Sequence, residues 1–159
     1  MDYEFRELTE VESEISRQII AIEQEAFGAG GMNEWFLPPF IRRGRVFVLL
    51  DKGIVAAVAE YMRDWDDPAH AYLFGCAVKK YYRGKGLGKR LMIRSLECLA
   101  RDGFKTVSLT VDPENMAAMR LYTGLGFTQA AFYKDEYGPN HDRLLMIVKL
   151  PVEEACDGV

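Results

Sequence analysis

The chain has 159 residues, 49% of them hydrophobic and 28% charged, with a formal net charge of −4. That balance is ordinary for a soluble globular protein built around one hydrophobic core. It offers no global basic excess for nucleic acid or an anionic membrane, no apolar run approaches the ~20 residues of a membrane span, and the acidic stretch MDYEFRELTE has no signal-peptide core.

In chain order, Tyr3 to Leu8 alternates polar and apolar residues, as a half-buried strand does. A helical stretch then begins at Thr9 or Glu10. Its apolar residues Ile15, Ile19, Ile22 and Ala26 recur at helical spacing, and glycines from Gly28 to Gly31 break it. Asn33 is positioned to cap a short second helix holding Trp35 and Phe36, which Pro38-Pro39 would stop. Arg45 to Leu50 and Ile54 to Tyr61 read as a hairpin turned by Lys52-Gly53, and Ala69 to Val78 as a third strand after a polar loop. Leu87 to Ala100 is an amphipathic helix, and Thr106 to Val111 a short buried strand. Asp112-Pro113-Glu114 is a helix-start signal, and the helix it opens ends at Gly124-Leu125-Gly126. Thr128 to Lys134 and Arg143 to Leu150 close the chain as two strands joined by a polar loop, and an acidic tail follows from Pro151.

Hairpin-linked strands pair antiparallel, whereas strand-helix-strand units favour parallel pairing. The order therefore predicts an α/β (α+β) fold with a mixed sheet and helices on both faces. Three cysteines, Cys76, Cys98 and Cys156, are too few and too irregular for a disulfide framework. Cys76 and Cys98 sit in apolar patterns expected to bury them, which fits a reducing, cytoplasmic setting. His70 and His141 are the only histidines, and no metal-ligand spacing occurs, so no metal is expected.

The most informative segment joins the third strand to the amphipathic helix: Val78-Lys79-Lys80-Tyr81-Tyr82-Arg83-Gly84-Lys85-Gly86-Leu87-Gly88-Lys89-Arg90. A helix start carries unpaired N–H groups and partial positive charge, glycines let backbone approach an anion, and Arg and Lys add charge. A phosphate-binding P-loop is excluded because Lys89 is followed by Arg90, with no upstream Gly at the needed distance. A dinucleotide fingerprint is excluded because the glycines run Gly84-x-Gly86-x-Gly88.

Here the chain resembles the GCN5-related N-acetyltransferase superfamily. Their signature is Arg or Gln, two residues, Gly, one residue, then Gly or Ala, and Arg83, Gly86 and Gly88 fill its defined positions. The resemblance implies a sheet of about seven mostly antiparallel strands flanked by about four helices, over a single domain spanning 1–150, with 151–159 as tail. It implies that acetyl-CoA is the co-substrate. Arg83, Gly84, Lys85, Gly86, Leu87, Gly88 and Lys89 would hold its pyrophosphate, and Cys76, Ala77 and Val78 would offer strand backbone to the pantetheine arm.

The family's next motif is an Asn opening a helix, small residues, then a Tyr before a Gly-Phe stop. Asn115-Met116-Ala117-Ala118, Leu121-Tyr122 and Gly126-Phe127 follow that order. In the family the Asn contacts pantetheine and the Tyr lies near the coenzyme A sulfur as general acid. The chemistry agrees: a departing thiolate of pKa ~8.5 gains from a nearby phenol of pKa ~10. The structural alternative makes Tyr122 a core aromatic and Asn115 only a cap.

On the acceptor side the pattern departs from the family. Many relatives place a Glu on the strand before the loop, where this chain has Tyr72. Certain protein N-terminal acetyltransferases carry a Tyr there with a His on the next parallel strand, and that second position is Thr110 here. The base candidates are Glu60, His70, Tyr72 and Glu25, each with a plain surface or strand-end alternative. The segment from Glu136 to Met146 resembles the closing hairpin of protein N-terminal and ribosomal-protein-alanine acetyltransferases, which covers the acceptor peptide; Tyr137, Asp142 and Met146 match it, Glu136, His141 and Arg143 do not, and a plain polar hairpin with a Gly-Pro-Asn turn is the alternative. Glu25, Trp35, His70, Tyr137 and His141 are the acceptor-side candidates, and Tyr122, Glu60 and Tyr72 the candidates for proton transfer. The expected function is acetyl transfer to a primary amine of a protein N-terminus, a lysine or a small molecule, without nucleic acid or membrane; a homodimer is compatible with it. The alternatives are a non-catalytic acyl-CoA-binding or sensing domain and a nucleotide-binding protein.

Overall fold

The computed structural model describes residues 2–153; Cys156 and the rest of the tail from 154 lie outside the described residues. The element order is β1 (Glu4–Leu8), α1 (Ser13–Phe27), α2 (Leu37–Arg43), β2 (Arg45–Asp51), β3 (Ile54–Arg63), β4 (His70–Val78), α3 (Leu87–Arg101), β5 (Thr106–Val111), α4 (Met116–Gly124), β6 (Thr128–Tyr133) and β7 (Arg143–Lys149). Short 3-10 turns lie at Gly28–Gly30 and Lys80–Tyr82. The strands form one sheet in the order β1-β2-β3-β4-β5-β7-β6. Pairs β1–β2, β2–β3, β5–β7 and β6–β7 are antiparallel. β4 and β5, joined through α3, are parallel, as a crossover connection requires. The fold class expected from the sequence is the one observed.

Two compact units divide the chain: one takes in the residues up to Met62 with Phe74–Ser95, the other Arg63–Leu73 with the residues from Leu96 on. In the first, Ile15, Ile19 and Ile22 of α1 join Leu37 and Ile41 of α2 and Val46, Val48, Leu50, Val55 and Val58 of the β2–β3 hairpin in one buried cluster. Val46–Leu50 and Val55–Ala59 are buried at every position, so these strands read as continuous apolar runs rather than alternating ones. Each such aliphatic side chain contributes about 1.5–3 kcal/mol on burial. In the second unit β7 keeps strict alternation, with Leu144, Met146 and Val148 buried between more exposed neighbours.

Two sequence expectations are corrected. Pro38-Pro39 does not stop a helix but opens α2, where the missing N–H groups have no intrahelical partner to lose. Asn33 instead closes a turn, its Oδ1 accepting from the amides of Trp35 (2.9 Å) and Phe36 (3.1 Å). Asp112-Pro113-Glu114 precedes rather than begins α4: Asn115 is its N-cap, and Asn115 Oδ1 accepts from the Ala118 amide at 3.1 Å.

Candidate active site

In the first unit, β4 ends at Val78 and the Lys79 amide donates to the Ala56 carbonyl at 2.8 Å, tying the loop's start to β3. Arg83 Nε donates to the Val78 carbonyl at 3.0 Å, which folds the loop back on the strand that delivers it. Tyr82 is buried, its ring edge-on to Tyr3 and its hydroxyl donating to Asp51 Oδ2 at 2.8 Å. Burial and that carboxylate push the Tyr82 phenol up to about 12, so it anchors the loop as a neutral donor. Lys85 Nζ lies 5.1 Å from the centre of the Tyr81 ring and 5.5 Å from that of Tyr82. Gly84 and Gly86 have φ of 78° and 73°, a region other side chains rarely adopt, and a Cβ built on either meets nothing within 4 Å. The backbone above them is therefore open to a ligand. The first α3 hydrogen bond runs from the Arg90 amide to the Gly86 carbonyl at 3.1 Å. The amides just before it belong to the helix's first turn, where no intrahelical acceptor exists. Arg83, Lys85 and Lys89 are exposed around them. The arrangement is an anion cradle.

The same unit holds two buried carboxyls. Glu23 of α1 is 1% exposed and Glu60 of β3 is 0% exposed. Both point to Gly75 of β4: a Cβ there would lie 2.9 Å from Glu60 Oε2 and 3.4 Å from Glu23 Oε1. Glu23 Oε2 accepts from the Met32 amide at 3.3 Å. Among the described residues outside the pair, nothing donates to Glu23 Oε1 or to either oxygen of Glu60. Burial first, and then the Glu23 charge, hold the Glu60 carboxyl well above the ordinary carboxylate range. The neighbouring Cys76 thiol is pushed up to about 12 by burial and by the charges of Glu60 and Glu23, which makes it a poor nucleophile.

This carboxyl sets a pH dependence of stability. Because the folded protein holds the Glu60 proton more tightly than the unfolded chain, stability falls as pH rises from the ordinary carboxylate value of about 4.3 through the raised one. Glu60→Gln, which keeps the shape without the charge, removes that fall. At neutral pH its melting temperature is expected to exceed that of the parent chain, and the gap to close in mild acid; a gap independent of pH would contradict the burial account.

In the second unit, the parallel register places His70 opposite Thr106 and Tyr72 opposite Ser108. Tyr72 Oη lies 2.9 Å from Thr110 Oγ1, so the two residues that the resemblance aligned are hydrogen-bonded. Burial, opposed by that bond and aided by the Tyr137 phenol, pushes the Tyr72 phenol up. Tyr137 is exposed with the Arg143 guanidinium 4.8 Å from its ring centre. Its loop is held by the Asp135 amide donating to Asp142 Oδ1 and the Asn140 amide donating to Asp135 Oδ1, both at 2.8 Å. Tyr122 of α4 is buried with its ring edge-on to Phe127 at 5.8 Å.

Among the other sequence candidates, His70 uses both ring nitrogens inside the sheet, with Nδ1 2.6 Å from Thr106 Oγ1 and Nε2 2.7 Å from Ser108 Oγ. It fits a brace between β4 and β5 better than a substrate ligand. Glu25 and His141 are exposed. Trp35 is 80% exposed and borders a hollow with Gln24, Gly31 and Asn33. Cys76 and Cys98 are half-buried rather than fully buried. Sequence reasoning missed Glu23. Its signal was a carboxylate standing on the apolar stripe of α1, next to Ile22 and one turn after Ile19. Among the described residues no group of three or more His, Cys, Asp or Glu side chains is placed to hold a metal ion, and no helix is long and apolar enough to cross a membrane.

Comparison with known proteins gives a consistent result. The model of the acetyltransferase (GNAT) family matches residues 7–127. The [ribosomal protein bS18]-alanine N-acetyltransferase of Escherichia coli (strain K12) is 32% identical over 132 residues, covering 82% of this chain and 87% of that protein. The crystal structure of the ribosomal-protein-S18-alanine N-acetyltransferase from Escherichia coli superposes with a TM-score of 0.69 at 24% identity, over 98% of this chain and 99% of that one. A chain of the NatC complex bound to Gag peptide and CoA superposes with a TM-score of 0.81 at 21% identity, over 94% and 99% of the two chains. At such identities the two solved structures speak for the fold alone.

Proposed function

The chain belongs to the acetyltransferase (GNAT) family and is an acetyl-CoA-dependent N-acetyltransferase of a primary amine; we propose that this amine is the α-amino group at the N-terminus of a polypeptide. For the acetyl donor, the carrying observation is the cradle at Arg83 to Gly88, whose positive-φ glycines face open space at the start of α3. For the acceptor, it is the 32% identity to an enzyme named as an alanine N-acetyltransferase of a ribosomal protein. A cytoplasmic setting accompanies that reading.

Acetyl-CoA supplies an activated acetyl thioester. In our reading Gly84, Gly86 and the first-turn amides of α3 (Leu87, Gly88, Lys89) bind its pyrophosphate, with Arg83 and Lys85 adding charge. Backbone groups of Cys76, Ala77 and Val78 take the pantetheine arm, which is supported by the β4–β5 pairing reaching only Leu73. Asn115 contributes to that arm while capping α4. The amine attacks the acetyl carbon directly, forming the N–C bond as the C–S bond breaks. Tyr122 gives its phenolic proton to the departing sulfur, and the proton lost by the amine passes through ordered water to Glu60. Tyr72, fixed by Thr110, shapes the acceptor side, and the loop carrying Tyr137 and His141 covers the acceptor.

A competition assay tests the acceptor. With acetyl-CoA and equal concentrations of a peptide with a free N-terminus, the same peptide with its N-terminus blocked and a lysine free, and a polyamine, the acetyl group is expected on the free N-terminus. Acetylation of only the lysine peptide or only the polyamine would refute the α-amine reading.

A further inference from the structure

We propose that Glu23 and Glu60 work as one unit that shares a single proton, with Glu23 as the positioning residue that makes Glu60 an effective proton acceptor. The inference rests on the reading of Glu60 as the acceptor of the amine's proton and adds a residue that neither the motifs nor the comparisons assign.

Three observations carry it. First, two carboxyls from different elements, α1 and β3, are both essentially removed from solvent and converge on one point beside Gly75. Ordinary carboxylates are almost never fully buried without a partner, and two together are rarer. Secondly, among the described residues no cation is found to neutralise them. The polar groups facing the pair are the Met32 amide, on Glu23 Oε2, and the Cys76 thiol of β4, whose own proton the pair holds in place. Thirdly, among the described residues outside the pair, nothing donates to Glu23 Oε1 or to either oxygen of Glu60. One proton between them changes this: a protonated carboxyl donates to its neighbour, one charge disappears, and an unpartnered oxygen gains a donor. Gly75 matters here because any larger residue would press a Cβ to 2.9 Å from Glu60 Oε2 and drive the pair apart.

The consequence for catalysis follows from like-charge repulsion. An isolated carboxylate, with pKa about 4.3, is a weak base for an ammonium. A doubly ionised pair takes up its first proton far more readily because that proton removes the repulsion. The proton balance is simple: the ammonium loses one proton to water, the water passes one to Glu60, and the pair goes from two negative charges to one. Release to solvent after product leaves restores it.

The test is the pH–rate profile of Glu23→Gln against Glu60→Gln, together with the pH dependence of Cys76 alkylation in a Cys98→Ser, Cys156→Ser background. Glu23→Gln is expected to move the acidic limb of the rate profile down by about one pH unit, the usual effect of removing a close like charge. It is expected to move the Cys76 alkylation curve down as well. Glu60→Gln is expected to lower the rate at least about tenfold on the plateau above the acidic limb, where the carboxylate is ionised and the amine still protonated, and to converge on the parent at high pH, where free amine needs no base. The double variant is expected to lose no more than Glu60→Gln alone, since both changes remove the same unit. If Glu23→Gln leaves both the rate profile and the alkylation curve where they were, the shared-proton pair is refuted and Glu60 can still be the acceptor. If Glu60→Gln leaves the rate profile unchanged while the alkylation curve moves, the acceptor role falls and the coupling stands. Should Glu23→Gln fail to fold, the infrared carboxyl band decides: the parent chain is expected to show a carboxyl that stays protonated above the ordinary carboxylate range and ionises before the rate reaches its plateau, a band that Glu60→Gln lacks, and its absence from the parent overturns the pair.

Discussion

Tyr122→Phe is expected to lower the turnover rate about 10²-fold or more, the range typical of losing a general acid. The change removes one oxygen and keeps the ring that packs against Phe127, so α4 and its stop at Leu125 should persist. The Michaelis constant for acetyl-CoA should change far less than the rate, because in the proposed role the phenol would act on the departing sulfur and not on the pyrophosphate. A leaving group with a lower pKa needs less help, so a more acidic thioester should recover part of the loss. A variant with full turnover would reduce Tyr122 to a packing residue, which its burial alone would explain.

The second large effect concerns the cradle. Gly86→Asp is expected to weaken acetyl-CoA binding on the order of 10²-fold, a loss of about 3 kcal/mol. Gly86 has φ of 73° and open space around a built Cβ, so the side chain does not collide with the protein itself. Asp and Asn both tolerate positive φ better than most residues. Gly86→Asn therefore isolates the charge: it should bind more tightly than Gly86→Asp while sharing its backbone strain. Equal affinities for the two variants would mean that no anion sits over this turn. Raising ionic strength should narrow the difference, since the loop's basic side chains are exposed.

Much of the fold was legible because its periodicities are clean. The stripe of Ile15, Ile19 and Ile22, the β-branched run at Thr106–Val111 and the alternation of β7 each name an element without tertiary help. The cradle was legible because helix-start physics is local: glycines, basic residues and the preceding strand lie within one short stretch. The errors were of another kind. Pro38-Pro39 is compatible with either end of a helix, and only packing decided that Leu37 and Ile41 should be buried on a helix that begins there. Glu23 was passed over because the apolar stripe that buries it was credited only to its isoleucines, and a carboxylate on a helix is by default expected to be exposed, as Glu25 is. His70 looked like a surface residue because Thr106 and Ser108, its hydrogen-bond partners, are remote in sequence and meet it only through the parallel register of β4 and β5. Tyr72 and Thr110 were aligned through the family resemblance, and the structure joins them with a hydrogen bond.

The central claim is that this chain moves acetyl from acetyl-CoA to an amine by direct attack. Its most direct test follows free thiol after mixing the protein with acetyl-CoA, first without and then with an N-terminally free peptide. Without peptide no burst of thiol is expected, because a Cys76 thiol held up to about 12 does not take the acetyl group. With peptide, thiol should appear continuously, one for each acetylated N-terminus found by mass spectrometry. A burst without peptide would indicate a covalent acetyl-protein, and tight acetyl-CoA binding with no thiol released in the presence of any amine would make the chain a binding domain rather than an enzyme.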